Sequence, residues 1–87
     1  MKVVILYRPN SEHRRQVEEF VHDFEQGHAN RSVNLVDVDT KEGAAQAELY
    51  DIVQYPTVLA LSDDAQLLKG WQGKFPLIDE LAYYTQD

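Results

Sequence analysis

Apolar and polar positions alternate with changing period along the chain, and each change marks an expected element. Val3-Val4-Ile5-Leu6 runs without interruption inside Lys2 to Tyr7. Such a β-branched, apolar run predicts a strand covered on both faces, as at the centre of a sheet between helices. Pro9-Asn10-Ser11 then supplies a stop and a helix N-cap, and Val17, Phe20, Val21 and Phe24 recur at i, i+3, i+4 and i+7 until Gly27 offers a C-cap. The first helix is expected from Ser11 to Gln26.

Ser32 to Asp39 places Val33, Leu35, Val36 and Val38 among polar residues and predicts a second strand. Asp39 or Thr40 can cap a helix over Lys41 to Tyr50, with Ala44, Ala47 and Tyr50 as its packing face. Thr57 to Ser62 reads as a third strand, Asp63-Asp64-Ala65 as a turn and Gln66 to Gln72 as a fourth strand, together an antiparallel hairpin. Gly73 breaks that strand. Phe75-Pro76 opens a last helix in which Leu77, Ile78, Leu81 and Tyr84 share a face and Pro76 suits the first turn. The order is βαβαββα. A strand, a helix and a strand joined by a crossover imply a parallel pair, so the expected fold class is α/β: a four-stranded mixed sheet with helices on both faces.

The length of 87 residues suits a single domain, residues 1–87, with one modest core. Hydrophobic residues at 44% and charged residues at 26% give a globular balance. No stretch approaches the roughly 20 apolar residues that cross a bilayer. The apolar run at Val3 is too short for a signal peptide, which makes a cytoplasmic location the expectation. There is no cysteine, which excludes disulfides, thiolate metal sites and thiol nucleophiles. A net charge of −7 argues against nucleic acid and anionic membrane as partners.

The charge is uneven. Lys2, Arg8, Arg14 and Arg15 stand against Glu12 alone in the first fifteen residues. Cations around a helix start are unfavourable unless exposed or neutralised, so Arg8, Ser11, His13, Arg14 and Arg15 form a candidate site for a small anion, a carboxylate or phosphate. Ser11 and His13 do not suggest a hydrolase, because residues two apart on a helix point in different directions. His13, His22 and His28 are scattered, and Glu18 with His22 gives only two ligands, so no metal and no cofactor are expected. Trp71 is expected in the core, the alternative being a partly exposed aromatic patch with Tyr83 and Tyr84 near the end of the final helix, and Tyr7 is expected at the end of the first strand with its hydroxyl at the rim.

The order and the residues resemble the thioredoxin family in its minimal, glutaredoxin-sized form. Tyr7-Arg8-Pro9-Asn10-Ser11-Glu12-His13-Arg14-Arg15 is similar to the family's Tyr-Ala-Pro-Trp-Cys-Gly-His-Cys-Lys segment, which puts Ser11 and Arg14 where the two cysteines would stand. Tyr50-Asp51-Ile52-Val53-Gln54-Tyr55-Pro56-Thr57 looks like Tyr-Gly-Val-x-x-Tyr/Ile-Pro-Thr, whose proline carries a cis peptide bond facing the active site. The hairpin is the third likeness, with Ala65 or Asp64 in place of the usual turn glycine.

The resemblance implies a thioredoxin-like domain without redox chemistry, since a serine hydroxyl lacks the acidity of a thiol at a helix start. It implies a non-catalytic binding module for a protein or peptide partner, with Arg8, Asn10, Ser11, His13, Arg14, Tyr55, Pro56 and Thr57 as binding residues. Two alternatives remain. One is a regulator similar to the circadian KaiB family, which shares the Leu6-Tyr7-Arg8-Pro9-Asn10-Ser11 type of start, although the Asp63-Asp64 hairpin and Gly73 suit an ordinary thioredoxin ending better. The other is a protein that binds glutathione or another small anion.

Overall fold

The computed structural model describes residues 1–85. Its elements run β1 (Lys2–Tyr7), α1 (Arg14–Gly27), β2 (Asn34–Asp37), α2 (Lys41–Leu49), β3 (Thr57–Leu61), β4 (Leu67–Gln72) and α3 (Ile78–Tyr83). One sheet holds the strands in the order β2-β1-β3-β4. β1 pairs parallel with β2 and antiparallel with β3, and β3 pairs antiparallel with β4. β1 and β3, flanked by strands on both sides, carry the uninterrupted apolar runs and are buried almost throughout.

The pleat sends alternate residues of β1 to two cores. Val3 and Ile5 join Val58, Ala60 and Trp71 beneath α1 and α3, which contribute Val17, Phe24, Leu81 and Ala82. Val4 and Leu6 join Leu59 and Leu61 on the opposite face, beneath Ala47 of α2 and Ile52. Helices thus cover both faces, and Trp71 is core, 5% exposed, with Tyr84 edge-on to it. Tyr7 packs half-buried against the first core. Among the described residues no helix is long and apolar enough to cross a membrane.

Several boundaries differ from the sequence reading. α1 begins at Arg14, not Ser11, and its N-cap position is His13, with no side-chain cap. The Ser11 hydroxyl donates instead to the Arg8 carbonyl at 2.6 Å, and two successive turns, Ser11 N to Arg8 O and Arg14 N to Ser11 O, precede the helix. Gly27 is the last residue of α1, and His28 follows as its cap. β2 keeps only four residues at the sheet edge, where Leu35 is 42% exposed. Pro76 lies before α3 rather than in its first turn, and Leu77 at the N-cap is 77% exposed.

In α2 Ala47 is buried and Tyr50 packs half-buried against the second core, as expected, but Ala44 is exposed and Gly43 is buried in its place. Thr40 caps the helix, accepting from the Gly43 amide at 3.0 Å while its hydroxyl donates to the Asp37 carbonyl at 2.7 Å. These bonds draw the first turn of α2 onto the end of β2, so that a Cβ on Gly43 would lie 2.0 Å from the Asp37 carbonyl oxygen. The β3–β4 hairpin turns at Ala65, which takes the left-handed φ of 68° usually left to glycine. Its ladder slips by a residue between Ala60 and Leu61, a bulge that leaves Leu67 and Leu68 about half exposed along the outer strand.

Candidate binding site

The end of β1 is held by the turn that follows it. The main-chain amide of Arg8 donates to His13 Nε2 at 3.0 Å, and its carbonyl accepts from the Ser11 hydroxyl. Both polar main-chain groups of Arg8 are therefore satisfied by side chains three and five residues on. Accepting at Nε2 requires a neutral imidazole with its proton on Nδ1. Partial burial, and then the nearby Arg8 charge, lower the His13 pKa from its ordinary value. His13 thus serves the turn and has no hydrogen bond to Ser11, so no serine–histidine pair forms.

The Arg8 guanidinium reaches across to two other elements. It meets Asp39 Oδ1 at 3.2 Å and lies over the Tyr55 ring at 5.3 Å from its centroid. Parallel pairing explains the first contact. Tyr7 is in register with Asp37, so the residues just beyond, Arg8 and Asp39, leave the sheet side by side. The second contact joins the β1–α1 turn to the loop before β3, where the Tyr55–Pro56 peptide is cis.

That loop is pinned at three main-chain groups. Val53 N–H donates to Gln72 Oε1, the Gln54 carbonyl accepts the Thr57 hydroxyl, and the Pro56 carbonyl accepts from Gly73 N–H. At Tyr55 neither group is used: among the described residues its amide and carbonyl enter no hydrogen bond, and the adjoining Val53 carbonyl and Gln54 amide are also unpaired. Unpaired main-chain groups are found where water reaches them, because burying them costs too much. Tyr55 thus leaves a main-chain donor and acceptor unpaired next to a cation stacked on its own ring.

The expected site residues separate into those the fold brings together and those it does not. Arg8 and Tyr55 touch, and Ser11 and His13 are joined through the Arg8 backbone. Asn10 lines a shallow groove with Ser11, His13 and Gln16 on the α1 side. Pro56 is buried and shapes the loop. Thr57 is fully buried with its hydroxyl spent on Gln54, so it supports the loop and presents nothing to a ligand. Arg14 points along α1 to Glu18, 3.5 Å away, and Arg15 to Glu19 at 3.4 Å. Each arginine of the basic start thus stands by a carboxylate, and the local positive excess is largely compensated.

Two features escaped the sequence. Of the two cap candidates Thr40 takes the cap, and Asp39 instead pairs with Arg8, a contact that a strand parallel to β1 had to bring about. A second groove, of about 440 Å³, opens on the other side of Tyr55 between α2 and residues 51–55. Its signal was Val53, an aliphatic residue in a loop, which is 80% exposed.

No protein-family model matches the chain, and no curated protein matches it. Solved structures do. One described as the structure of a malarial protein superposes with a TM-score of 0.70 and 16% identity, covering 94% of this chain and 89% of its own. The crystal structure of a designed protein gives a TM-score of 0.66 and 22% identity, covering 95% of this chain and 70% of its own. At these identities the likeness is one of fold alone. This chain is a small α/β domain with a four-stranded mixed sheet and three helices.

Proposed function

We propose that the chain is a thioredoxin-like domain without redox chemistry that works as a binding module, holding an extended peptide segment of a protein partner at the corner made by Arg8 and Tyr55. The observation that carries this reading is the unpaired amide and carbonyl of Tyr55, set beside the exposed Arg8 side chain. An extended chain laid along that loop exchanges main-chain hydrogen bonds with both groups, as a strand added to a sheet edge does. The absence of cysteine removes thiol–disulfide exchange but leaves such backbone recognition intact. The compensated arginines give this reading weight over a free small-anion site at the helix start.

The test is an amide-resolved NMR titration with a degenerate mixture of capped hexapeptides. The Tyr55, Arg8 and His13 amides should move first, and Tyr55→Ala should weaken binding several-fold. Response confined to Trp71 and α3 would place the site on the other face and overturn the reading. So would movement of Asn10 to Arg14 with phosphate or glutathione while peptides move nothing.

A further inference from the structure

The groove between α2 and residues 51–55 has an apolar floor and a charged rim. Val38, Ala47 and Ile52 form the floor, all under 9% exposed. Val53, 80% exposed, and Tyr55 also line it. Glu48 and Asp51 lie at the rim, and among the described residues neither carboxylate has an ion-pair partner. Arg8 also lines the groove, but its charge is met by Asp39. The groove therefore presents an apolar cleft with uncompensated negative charge.

We propose that this groove is the specificity pocket of the peptide site, taking one bulky aliphatic side chain with lysine or arginine two residues to either side. The inference rests on the peptide-holding reading above and adds the chemistry of the partner. Tyr55 belongs to both features: its main chain holds the peptide backbone, and the residue lines the groove. Along an extended peptide, side chains on one face recur every two residues, about 7 Å apart. One side chain enters the groove, and the side chains two residues before and after it, on the same face, reach the rim where Glu48 and Asp51 wait. A second copy of this chain is a poor occupant, because its net charge of −7 opposes the same negative rim.

Three capped pentapeptides test the proposal by NMR titration: Lys-Gly-Leu-Gly-Lys, Lys-Gly-Ala-Gly-Lys and Glu-Gly-Leu-Gly-Glu, written by their groove-facing residues as Lys-Leu-Lys, Lys-Ala-Lys and Glu-Leu-Glu. The first should move the amides of Ala47, Glu48, Val53 and Tyr55. Replacing leucine by alanine should weaken it about tenfold, since each buried methylene is worth roughly a factor of four and an open groove buries them only in part. The Glu-Leu-Glu peptide should bind at least about tenfold more weakly than Lys-Leu-Lys. Glu48→Gln and Asp51→Asn should each weaken Lys-Leu-Lys by about two- to fivefold and reduce its salt dependence. Both residues are exposed, and asparagine tolerates the left-handed backbone at position 51, so unchanged spectra will report an intact fold.

If all three peptides move Tyr55 equally, the groove has no such selectivity and this inference fails while the peptide-holding reading stands. If Lys-Leu-Lys moves Ala47 and Val53 but leaves the Tyr55 amide still, the groove binds as proposed without main-chain capture, and the peptide-holding reading fails. If no peptide moves either set, both fail.

Discussion

Gly43→Ala sets helix propensity against close packing, and the structure says packing wins. In an exposed helix interior the change should help, because alanine is favoured over glycine by about 1 kcal/mol. Here the new Cβ would meet the Asp37 carbonyl oxygen at 2.0 Å, its carbon at 2.7 Å and Val38 Cα at 3.0 Å. All three are main-chain atoms of the segment leaving β2, and none can swing aside. Ordinary contact needs about 3.5 Å, so the first turn of α2 must retreat by roughly 1.5 Å. That retreat stretches the Thr40–Gly43 cap, worth about 1 kcal/mol, and adds overpacking strain of about 1–3 kcal/mol. Set against the propensity gain, the net loss is about 1–3 kcal/mol.

At about 4–8 °C per kcal/mol for a domain of this size, the midpoint of thermal unfolding by circular dichroism should fall by about 4–24 °C. Gly27→Ala is the control. It ends α1 with nothing within 4 Å of its Cβ, so it should gain up to about 0.5 kcal/mol. If Gly43→Ala melts at or above the parent with its spectrum unchanged, α2 does not approach β2 in the way described, and the floor of the groove one turn further on is misplaced with it.

Three further measurements bear on the β1–α1 corner and its loop. The double change Ser11→Cys, Arg14→Cys should form an intramolecular disulfide on oxidation, because the Arg14 N to Ser11 O turn brings the two Cα atoms within the roughly 4.4–6.8 Å that a disulfide spans. A variant that folds but stays reduced would show that these are not the cysteine positions of a thioredoxin-like fold. His13 should titrate below 6.5, and because its folded pKa is lowered, its contribution to stability is present above the unfolded value and is lost as pH falls towards the folded one. Urea unfolding from about pH 8 to about pH 5 should therefore show the parent losing stability relative to His13→Gln, and a constant difference would refute the hydrogen bond to Arg8. Phe24→Ala, at the centre of the larger core, should cost about 3–5 kcal/mol; a loss under about 1 kcal/mol would contradict its complete burial.

The strand–helix order was legible because apolar runs and their periods are written directly in the chain, and β1 and β3, paired on both sides, are its longest unbroken runs. Ends and faces were less so. Ser11 has the chemistry of a cap, yet a serine hydroxyl can also turn back to a carbonyl three residues earlier, and only the folded turn decides between the two. On the buried face of α2 Ala47 and Tyr50 were legible but Gly43 was not, because glycine carries no hydrophobic weight, whereas the lack of a side chain there is what lets the helix come close. Arg8 and Tyr55 were singled out for different reasons, and the structure joins them. The Arg8–Asp39 pair spans 31 positions and exists only once β1 and β2 lie parallel in their observed register.

The bulged outer strand β4 bears on how the protein behaves in concentrated solution. An uncovered edge of six residues with Leu67 and Leu68 half exposed is a template on which another strand can pair. Lys69 is the only charge on it, and that charge is shared with Glu80. Protection of this edge therefore falls on the molecule as a whole, through the mutual repulsion of copies each carrying −7. That repulsion fades as carboxylates protonate and vanishes near the isoelectric point of about 4.7, while the exposed leucines and the free edge persist. Colloidal stability is thus set by pH and ionic strength more than by the fold, and mildly acidic, salty solution is where copies of this domain should stack edge to edge.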